Sequence, residues 1–384
     1  MSIKLIAKNA FRHKLRTMLT IAGITVAILA FGLLRTVVSA WYAGVDASSA
    51  SRLVTRNSIS LIFTMPVAYK EKIRQISGVK LVSYGRWFGG VYIEHKNFFP
   101  NFAVEAKSYL ELYPEFILDD REKAEFLRDR KSCIVGRKLA NRFGWKIGDT
   151  IPLKGIIFPG NYEFVLKGVY QGRDKSTDET QLIFHWDYLN ERLKKEMPLR
   201  ADQAGFYMIG IDNPDLASSV SEAVDRTFKN SLAETLTETE KAFQMSFVSM
   251  TEAIVIAIRT VSYVVIFIIM AVMANTMAMT VRERLGEYAV FKTLGFGGRH
   301  IAVMILGESL VISLIGTAIG IGLTFPVARI FGNALDNFFP IFNVSAETVY
   351  MDIAAGLLVG LSAAALPVWR AVRVPIAEGL RRIG

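Results

Sequence analysis

The sequence predicts a membrane α-helical protein with four transmembrane helices and an α/β extracytoplasmic domain inserted between helices 1 and 2. Three observations carry this prediction: four long apolar stretches, a polar insert with mixed helix and strand patterns, and basic residues concentrated beside the ends of the stretches. Together they indicate an integral membrane protein whose bulk lies on one side of the bilayer.

The four apolar stretches run from Met18 to Trp41, Met250 to Thr280, Ile301 to Phe331 and Tyr350 to Trp369. Each has the roughly 20 residues needed to cross a hydrocarbon core of about 30 Å as a helix. Helices are required because lipid offers no hydrogen-bond partner to an exposed N–H or C=O group. The first stretch follows a basic segment, as a signal peptide would, but it is too long for a typical signal core. We expect it to be retained.

Positive charge predicts the orientation, because short cytoplasmic segments retain Lys and Arg. The segment before span one, the connection between spans two and three, and the tail after span four hold thirteen basic and three acidic residues. The connection between spans three and four has no Lys or Arg, and its charged residues are Asp336 and Glu347. Both termini are therefore expected to be cytoplasmic and the insert to lie outside. The thirteen basic residues are Lys4, Lys8, Arg12, Lys14, Arg16, Arg282, Arg284, Lys292, Arg299, Arg370, Arg373, Arg381 and Arg382.

The insert is nearly neutral, with 29 Lys and Arg against 27 Asp and Glu. The net charge of +10 therefore reflects topology and attraction to anionic lipids, and we expect no nucleic-acid partner. Its single cysteine, Cys133, cannot form an internal disulfide, so the domain must be held by its own core.

Residue patterns in the insert predict a mixed α/β domain. Alternating residues predict strands at Val79 to Ile93, Phe102 to Ala106, Ile151 to Leu153 and Tyr162 to Val169. Helical spacing predicts helices at Pro66 to Ile76, Gly136 to Phe143, His185 to Glu196 and Pro214 to Asn230. From Thr237 onward no Pro or Gly interrupts the chain, which predicts a helical stalk that continues into span two.

The connection after span two predicts a short amphipathic helix at the inner membrane surface. Val281, Leu285, Tyr288, Ala289 and Leu294 recur at helical intervals on one side, and Gly295 can end the helix with a positive φ. Such an element suits docking into a groove of a cytoplasmic partner. An interfacial hairpin with no partner is the alternative.

The chain resembles the permeases of MacB/FtsX-like (type VII) ABC transporters. Three segments carry the resemblance. The first is Asn275 through Phe296, followed in span three by Glu308, Gly316 and Gly320, and the second is Pro367 through Arg381. The third is Ile134 through Asp149 with the strands that follow, and this segment is similar to a MacB-type periplasmic core domain. The order of one span, an insert and three spans adds to the resemblance. Unlike full-length MacB, this chain has no Gly-x-x-x-x-Gly-Lys-Ser/Thr phosphate loop.

The resemblance implies a permease subunit of a bacterial inner-membrane transporter that works by mechanotransmission. It implies a separate cytoplasmic ABC ATPase that binds ATP and Mg, with no cofactor or metal on this chain. We expect two copies of this chain to form a homodimer, with a heterodimer as the alternative. We also expect the spans to contact membrane lipids, and whether a periplasmic adaptor binds the chain is left open. The ATPase-coupling residues implied are Arg282, Glu283, Glu287, Tyr288, Lys292, Leu294 and Gly295.

The predicted organisation has nine segments. They are a cytoplasmic N-terminal segment at 1–17, the first span at 18–41, the MacB-like domain with its stalk at 42–249, the second span at 250–280, a coupling helix and turn at 281–300, the third span at 301–331, an outer loop at 332–349, the fourth span at 350–369 and a cytoplasmic tail at 370–384. The resemblance implies that residues 250–384 form an FtsX-like permease domain.

Charged and amide side chains within the spans are the remaining candidate sites, since an ion at the bilayer centre costs at least about 2.5 kcal/mol. Arg35, Arg259 and Arg329 map toward the outer ends of their spans, where they either snorkel into head groups or line an outer vestibule. In the vestibule they would meet an anionic lipid or Glu252 and Asp352. Asn275 is expected to hydrogen-bond between helices, and Glu308 to pair with a basic residue or a polar helix end. Small residues, among them Gly316, Gly320 and Gly322, predict close helix packing.

No catalytic constellation is visible in the sequence: the four His have no metal-ligand spacing, and Cys133 lacks a partner for nucleophilic catalysis. We therefore expect a non-catalytic subunit. Two other functions remain open: a membrane-anchored extracytoplasmic sensor or regulator of a cell-envelope process, and an enzyme with an intramembrane active site.

Overall fold

The computed structural model describes residues 6, 9–174, 176–334, 339 and 341–373. Several predicted features therefore lie outside the described residues: Lys4, Lys8, Asp336 and the C-terminal residues beyond Arg373. The chain forms two compact units, and we describe each by itself. The membrane unit comprises the first 41 residues and most of the chain after Thr251, and the extracytoplasmic unit comprises Tyr42–Met250 with a short later segment.

The described residues form twelve α-helices. They are α1 Lys14–Ala47, α2 Tyr69–Arg74, α3 Ala106–Leu112, α4 Asp120–Arg128, α5 Arg137–Phe143, α6 Trp186–Glu196, α7 Ala217–Thr227, α8 Glu240–Met250, α9 Glu252–Glu283, α10 Leu285–Thr293, α11 Gly298–Ala334 and α12 Ala346–Arg373. Four of them, α1, α9, α11 and α12, are long and apolar enough to cross a membrane. The prediction of four membrane helices is confirmed.

Helices of the membrane unit approach closely where glycines face them. A Cβ added to Gly316 would lie 2.8 Å from Ile24 Cβ, and one added to Gly320 would lie 2.9 Å from Ile28 Cβ, so α11 packs directly against α1. Polar hydrogen bonds add to this packing: Thr25 Oγ1 donates to the Gly316 carbonyl at 3.2 Å. Gly322 differs, because no atom of the described residues lies within 4 Å of an added Cβ, so it does not contribute to helix packing within this chain, and its predicted role in a packed dimer stays a prediction.

The extracytoplasmic unit is built on a mixed sheet. Its strands are β1 Arg52–Asn57, β2 Met65–Pro66, β3 Val79–Trp87, β4 Gly90–Val91, β5 Asn101–Val104, β6 Phe116–Ile117, β7 Ser132–Gly136, β8 Thr150–Gly155, β9 Gly160–Gly172, β10 Leu182–His185, β11 Gln203–Ala204, β12 Phe206–Ile211 and β13 Thr235–Thr239. The main sheet has the order β13-β1-β12-β3-β5-β10-β7-β9-β8-β4, with β6 beside β9, and β2 pairs with β11 separately. The predicted α/β domain is confirmed.

Two parallel pairs interrupt an otherwise antiparallel sheet: β5 with β10 and β7 with β9. A large apolar core contains aromatic rings in edge-to-face contact, such as Phe88 with Tyr162 at 4.8 Å and with Phe184 at 5.2 Å. Cys133 is fully buried on β7, and this burial raises the pKa of its thiol. The domain is thus held by its core, and the thiol is unreactive.

Some predicted elements have different bounds, and each difference has a local cause. The predicted strand from Val79 to Ile93 ends at Trp87, because Gly89 takes φ of +65°. The predicted helix at Pro214 begins with a 3₁₀ turn, and its α-helical part starts at Ala217. The predicted stalk helix from Thr237 is wrong in its start, because Thr237 belongs to β13 and pairs with Thr55 on β1. Helix α8 begins only at Glu240.

Candidate functional site

The connection between α9 and α11 is a tight helical hairpin. Helix α9 ends at Glu283, Arg284 leaves helical geometry, and α10 begins at the next residue. Gly295 takes φ of +90°, a conformation that other residues rarely adopt, and lets the chain turn into α11 at Gly298. The predicted amphipathic helix is therefore shorter than the pattern from Val281 to Leu294 that suggested it: residues up to Glu283 complete α9, and Leu294 lies beyond the last residue of α10.

A buried ion pair fixes this hairpin to α11. Nη1 of Arg284 donates to both carboxylate oxygens of Glu308, at 2.7 and 3.0 Å. The two side chains are only 5% and 3% exposed. The guanidinium also lies 5.3 Å from the Tyr288 ring, where the ring face attracts a cation. Glu308 therefore has the basic partner that the sequence predicted, and the partner is Arg284.

A second layer of charges joins the hairpin to the start of the chain. Glu287 accepts a hydrogen bond from Arg284 Nε at 3.0 Å and another from Arg12. Burial opposes ionisation of Glu287, but these two bonds outweigh it and lower its pKa. Glu283 accepts two bonds from Arg16, both of 2.8 Å. The hairpin is thus connected by charge-assisted hydrogen bonds to both α11 and the region around α1.

The opposite side of the hairpin is exposed and apolar. Val290, Leu294 and Phe296 are 42%, 68% and 46% exposed, whereas Tyr288 and Ala289 are buried. The predicted apolar side, which joined Leu294 to Tyr288, is therefore wrong for Leu294. The ammonium group of Lys292 is already engaged within the chain, because its Nζ donates a hydrogen bond to the Val372 carbonyl at 2.9 Å. Arg282 is exposed.

The predicted intramembrane polar residues fall into two groups. Arg259, Asn275 and Arg329 are exposed on their helices. Arg35 is only 8% exposed, and its Nη2 lies 3.5 Å from Glu347. Because Arg35 is buried inside the helix bundle, the prediction that its side chain extends into the lipid head groups is wrong for this residue.

Asp352 is the most unusual of the membrane-unit residues. It is 1% exposed, and neither carboxylate oxygen has a hydrogen-bond partner among the residues that the structure describes. A Cβ added to Gly32 would lie 2.8 Å from its Oδ2, which places the carboxyl against α1. A buried ionisable group in a membrane bundle is costly and usually functional.

Sequence reasoning did not include Arg284 among the site residues, although a signal for it existed. Arg284 shares the helical stripe of Val281, Leu285 and Tyr288, so it is a charge on an apolar side and requires a buried partner. Asp352 was named only as a neighbour of the basic residues, and its burial depends on the packing of α12 against α1.

Segments from both units match known protein families. Residues 17–227 match the MacB-like periplasmic core domain, and residues 259–376 match the FtsX-like permease C-terminal domain. An uncharacterized ABC transporter permease of Methanocaldococcus jannaschii is 24% identical over 345 residues, which cover 84% of this chain and 82% of that protein. An uncharacterized ABC transporter permease protein of Mycobacterium tuberculosis is 24% identical over 271 residues, which cover 68% of this chain and 30% of that protein.

Among solved structures, the extracellular domain of the noncanonic ABC-type transporter YknZ from Gram-positive bacteria aligns with a TM-score of 0.36 and 12% identity. The alignment covers 49% of this chain and 98% of that domain.

Proposed function

This chain belongs to the ABC transporter permeases that combine a MacB-like periplasmic core domain with an FtsX-like C-terminal domain, and we propose that it couples ATP hydrolysis by a separate cytoplasmic ATPase to movement of its extracytoplasmic domain. That movement exports or extracts a substrate. One observation carries the proposal: the α9–α11 hairpin exposes an apolar surface on one side and is fixed by buried charges on the other. A bound partner can displace such an element, and the buried charges transmit the displacement to the membrane helices.

The exposed side of the hairpin, formed by Val290, Leu294 and Phe296, is the proposed docking surface for the ATPase. A few well-packed, desolvated side chains near the centre of an interface supply most of its binding free energy, and we assign this role to Leu294 and Phe296. The ATPase binds the ATP and Mg, and this chain contributes neither a phosphate loop nor a catalytic residue.

The hairpin moves the membrane helices through ion pairs, of which the pair of Arg284 with Glu308 is buried and has little freedom to rearrange. Displacement of α10 moves Arg284, and Arg284 pulls Glu308 on α11 because an unpaired charge in this buried site is strongly unfavourable. Arg12 and Arg16 carry the same displacement toward α1. Helix α1 leads into the extracytoplasmic unit and α9 follows directly after its main segment, so both helices can transmit the movement outward.

Replacing Leu294 by aspartate tests the docking surface. We expect at least about a tenfold loss of ATPase binding, since burying an unpaired carboxylate in an interface is unfavourable and hot-spot contacts are worth about 2 kcal/mol or more. The measurement is co-purification of the ATPase with the chain from native membranes, followed by ATPase stimulation. The mass of the purified complex also reports whether two copies of this chain form the permease dimer.

The matched control for L294D is Leu232→Asp, which places the same charge at a fully exposed leucine of the extracytoplasmic unit. It should leave ATPase binding unchanged. Glu287 and Lys292 are poorer choices for this test, because both form contacts within the chain. Equal ATPase binding by L294D and the native chain would contradict the docking proposal, and a chain to which no ATPase binds would favour the sensor function.

Thiol labelling tests the proposed orientation, in which both termini are cytoplasmic and the extracytoplasmic unit is periplasmic in a bacterial inner membrane. A membrane-impermeant maleimide should label Leu232→Cys on intact spheroplasts and Leu294→Cys only after the membrane is broken. Both positions are exposed, and native Cys133 is fully buried, so the native chain serves as the unlabelled control. The reverse pattern would overturn the orientation.

A further inference from the structure

The extracytoplasmic unit contains a cavity of about 880 Å³ that the proposed coupling does not use. It lies between the sheet residues of β1, β3, β5 and β12 and the first turns of α8. Ligand cavities in proteins usually measure about 300–1,000 Å³ and are lined mainly by apolar and aromatic side chains with a few polar groups. The volume is therefore sufficient for a ligand of a few dozen atoms.

Two groups of contacting aromatic rings form part of the walls of this cavity. In one group, Trp87 and Phe206 both meet Phe102 edge to face, with ring centres 4.9 and 6.0 Å apart. In the other group, Tyr113 stacks on Tyr109 at 4.5 Å. These rings hold one another in place, so the cavity is preformed and its walls offer a long apolar surface.

The mouth of the cavity is apolar as well. Ile62 and Ile157 line the cavity and are also 87% and 43% exposed, so they stand where it opens. An apolar ligand would cover these side chains on its way in. Isolated exposed apolar residues are common, but two beside an aromatic cavity extend its apolar surface to the outside.

One cation faces the cavity without a carboxylate. Arg86 is 8% exposed, and it donates from Nη1 to the Arg200 carbonyl at 2.7 Å, while its guanidinium stacks over the Phe158 ring at 4.7 Å. Among the described residues, no acid lies within ion-pair distance of it. Burial and the nearby Arg200 lower its pKa to about 10, so it keeps its charge at neutral pH. A buried, unpaired cation is costly unless an anion completes the site.

Among the described residues, Glu240 is the one acid that lines the cavity. It accepts a bond from Arg52 at 2.9 Å, one from the Tyr113 hydroxyl at 3.1 Å and one from the Ser49 amide at 2.8 Å. Arg52 also donates to Glu115 at 2.7 Å, so Glu240 belongs to a separate cluster of charges around Arg52. Arg86 is therefore the cation of the described cavity lining that has no acidic partner.

We propose that this cavity binds a long-chain carboxylate, with the acyl chain between the aromatic walls and the carboxylate at Arg86. An acyl chain suits the walls because it has no polar groups along its length. A peptide segment would bury N–H and C=O groups against rings that cannot hydrogen-bond to them, at a cost of about 1–3 kcal/mol for each unmatched group. The site would exist whatever partner the hairpin binds, so it is independent of the proposed coupling.

Photolabelling tests the site in the full chain, reconstituted in lipid nanodiscs. The probe is palmitate that carries a diazirine on its chain, and mass spectrometry maps the labelled peptides. We expect labelling of the segments around Trp87 and Phe206, with the membrane helices as an internal reference. The methyl ester of the probe, which has the same chain and no charge, should label these segments about tenfold less, since a charge-assisted hydrogen bond is lost.

Three variants separate binding from folding. R86K keeps the charge and should keep most of the labelling, whereas Arg86→Gln should lose about tenfold. Because R86Q could disturb the contact with Arg200, Gln244→Glu provides a second test: it adds a negative charge to the cavity lining at constant size and should also lose labelling. Gln75→Glu, at an exposed position outside the cavity lining, should behave as the native chain.

Equal labelling by palmitate and its ester, or normal labelling of folded Q244E, would overturn the proposal. So would labelling confined to the membrane helices, and so would stronger labelling of the cavity by an apolar peptide amide than by palmitate. None of these outcomes depends on whether an ATPase binds the chain, so this proposal and the coupling proposal can fail separately.

Discussion

Replacement of Glu308 by leucine is expected to destabilise the membrane unit by up to about 3–5 kcal/mol, because it removes the buried partner of the Arg284 guanidinium and leaves only the partly exposed Glu287. The reciprocal variant Arg284→Met should cost a similar amount, since it leaves a carboxylate in the same site. The double variant R284M/E308L should recover most of the loss, because two apolar side chains of similar volume can fill the space of a buried pair at little net cost.

Unfolding by sodium dodecyl sulfate in mixed micelles, followed by circular dichroism, measures these stabilities. Arg282→Met is the matched control: this arginine is two residues away and exposed, so its loss should change stability by no more than about 0.5 kcal/mol. Additive losses in the double variant would show that the two residues do not act as a pair. A stable R284M/E308L that no longer responds to the ATPase would instead separate the role of the pair in transmission from its role in folding.

Alanine at Gly316 or Gly320 should each destabilise the packing of α11 against α1 by about 1–3 kcal/mol, the range measured for overpacked cores. The added Cβ at Gly316 would lie 3.1 Å from the Ile21 carbonyl, and the one at Gly320 would lie 3.0 Å from the Thr25 carbonyl. These are backbone atoms, so a side-chain rotation cannot relieve the contact, and the two helices must move apart.

Gly322→Ala, on the same helix, is the internal comparison for the two glycines. No atom of the residues that the structure describes lies within 4 Å of an added Cβ there, so the substitution should stabilise the helix by about 0.4–1 kcal/mol through its better helix propensity. The same unfolding measurement reports all three variants. If G322A proved as harmful as G320A, the glycines would act through something other than contact with α1, such as a second copy of the chain.

Local sequence patterns predicted the secondary structure well where one residue pattern decided the outcome. Helical spacing gave α6 to within one residue at its start, because apolar positions alone decide which face is buried. The stalk prediction was wrong at Thr237, because a run without Pro or Gly is compatible with both helix and strand. Pairing of this segment with β1 selects the strand, and that contact joins residues far apart in the sequence.

In the candidate site, the turn at Gly295 was predicted and the internal contacts were not. Gly295 marked the turn, since a positive φ is a property of one residue. By contrast, the partner of Glu308 could not be chosen among the basic residues nearby, because the choice depends on where α9 ends. The cavity of the extracytoplasmic unit was not anticipated at all: its lining residues come from separate strands and a helix, and no local pattern connects them.

The sequence by itself determined that the chain crosses a membrane four times and holds an α/β domain between its first two spans, because length, hydropathy and alternation are local properties set by lipid and water. Tertiary structure alone decided that Arg284 pairs with Glu308, that Asp352 is buried without a partner and that Arg86 faces an aromatic cavity. Burial and partners arise when distant segments pack, and the free energy of a buried charge depends on those neighbours far more than on its own residue type.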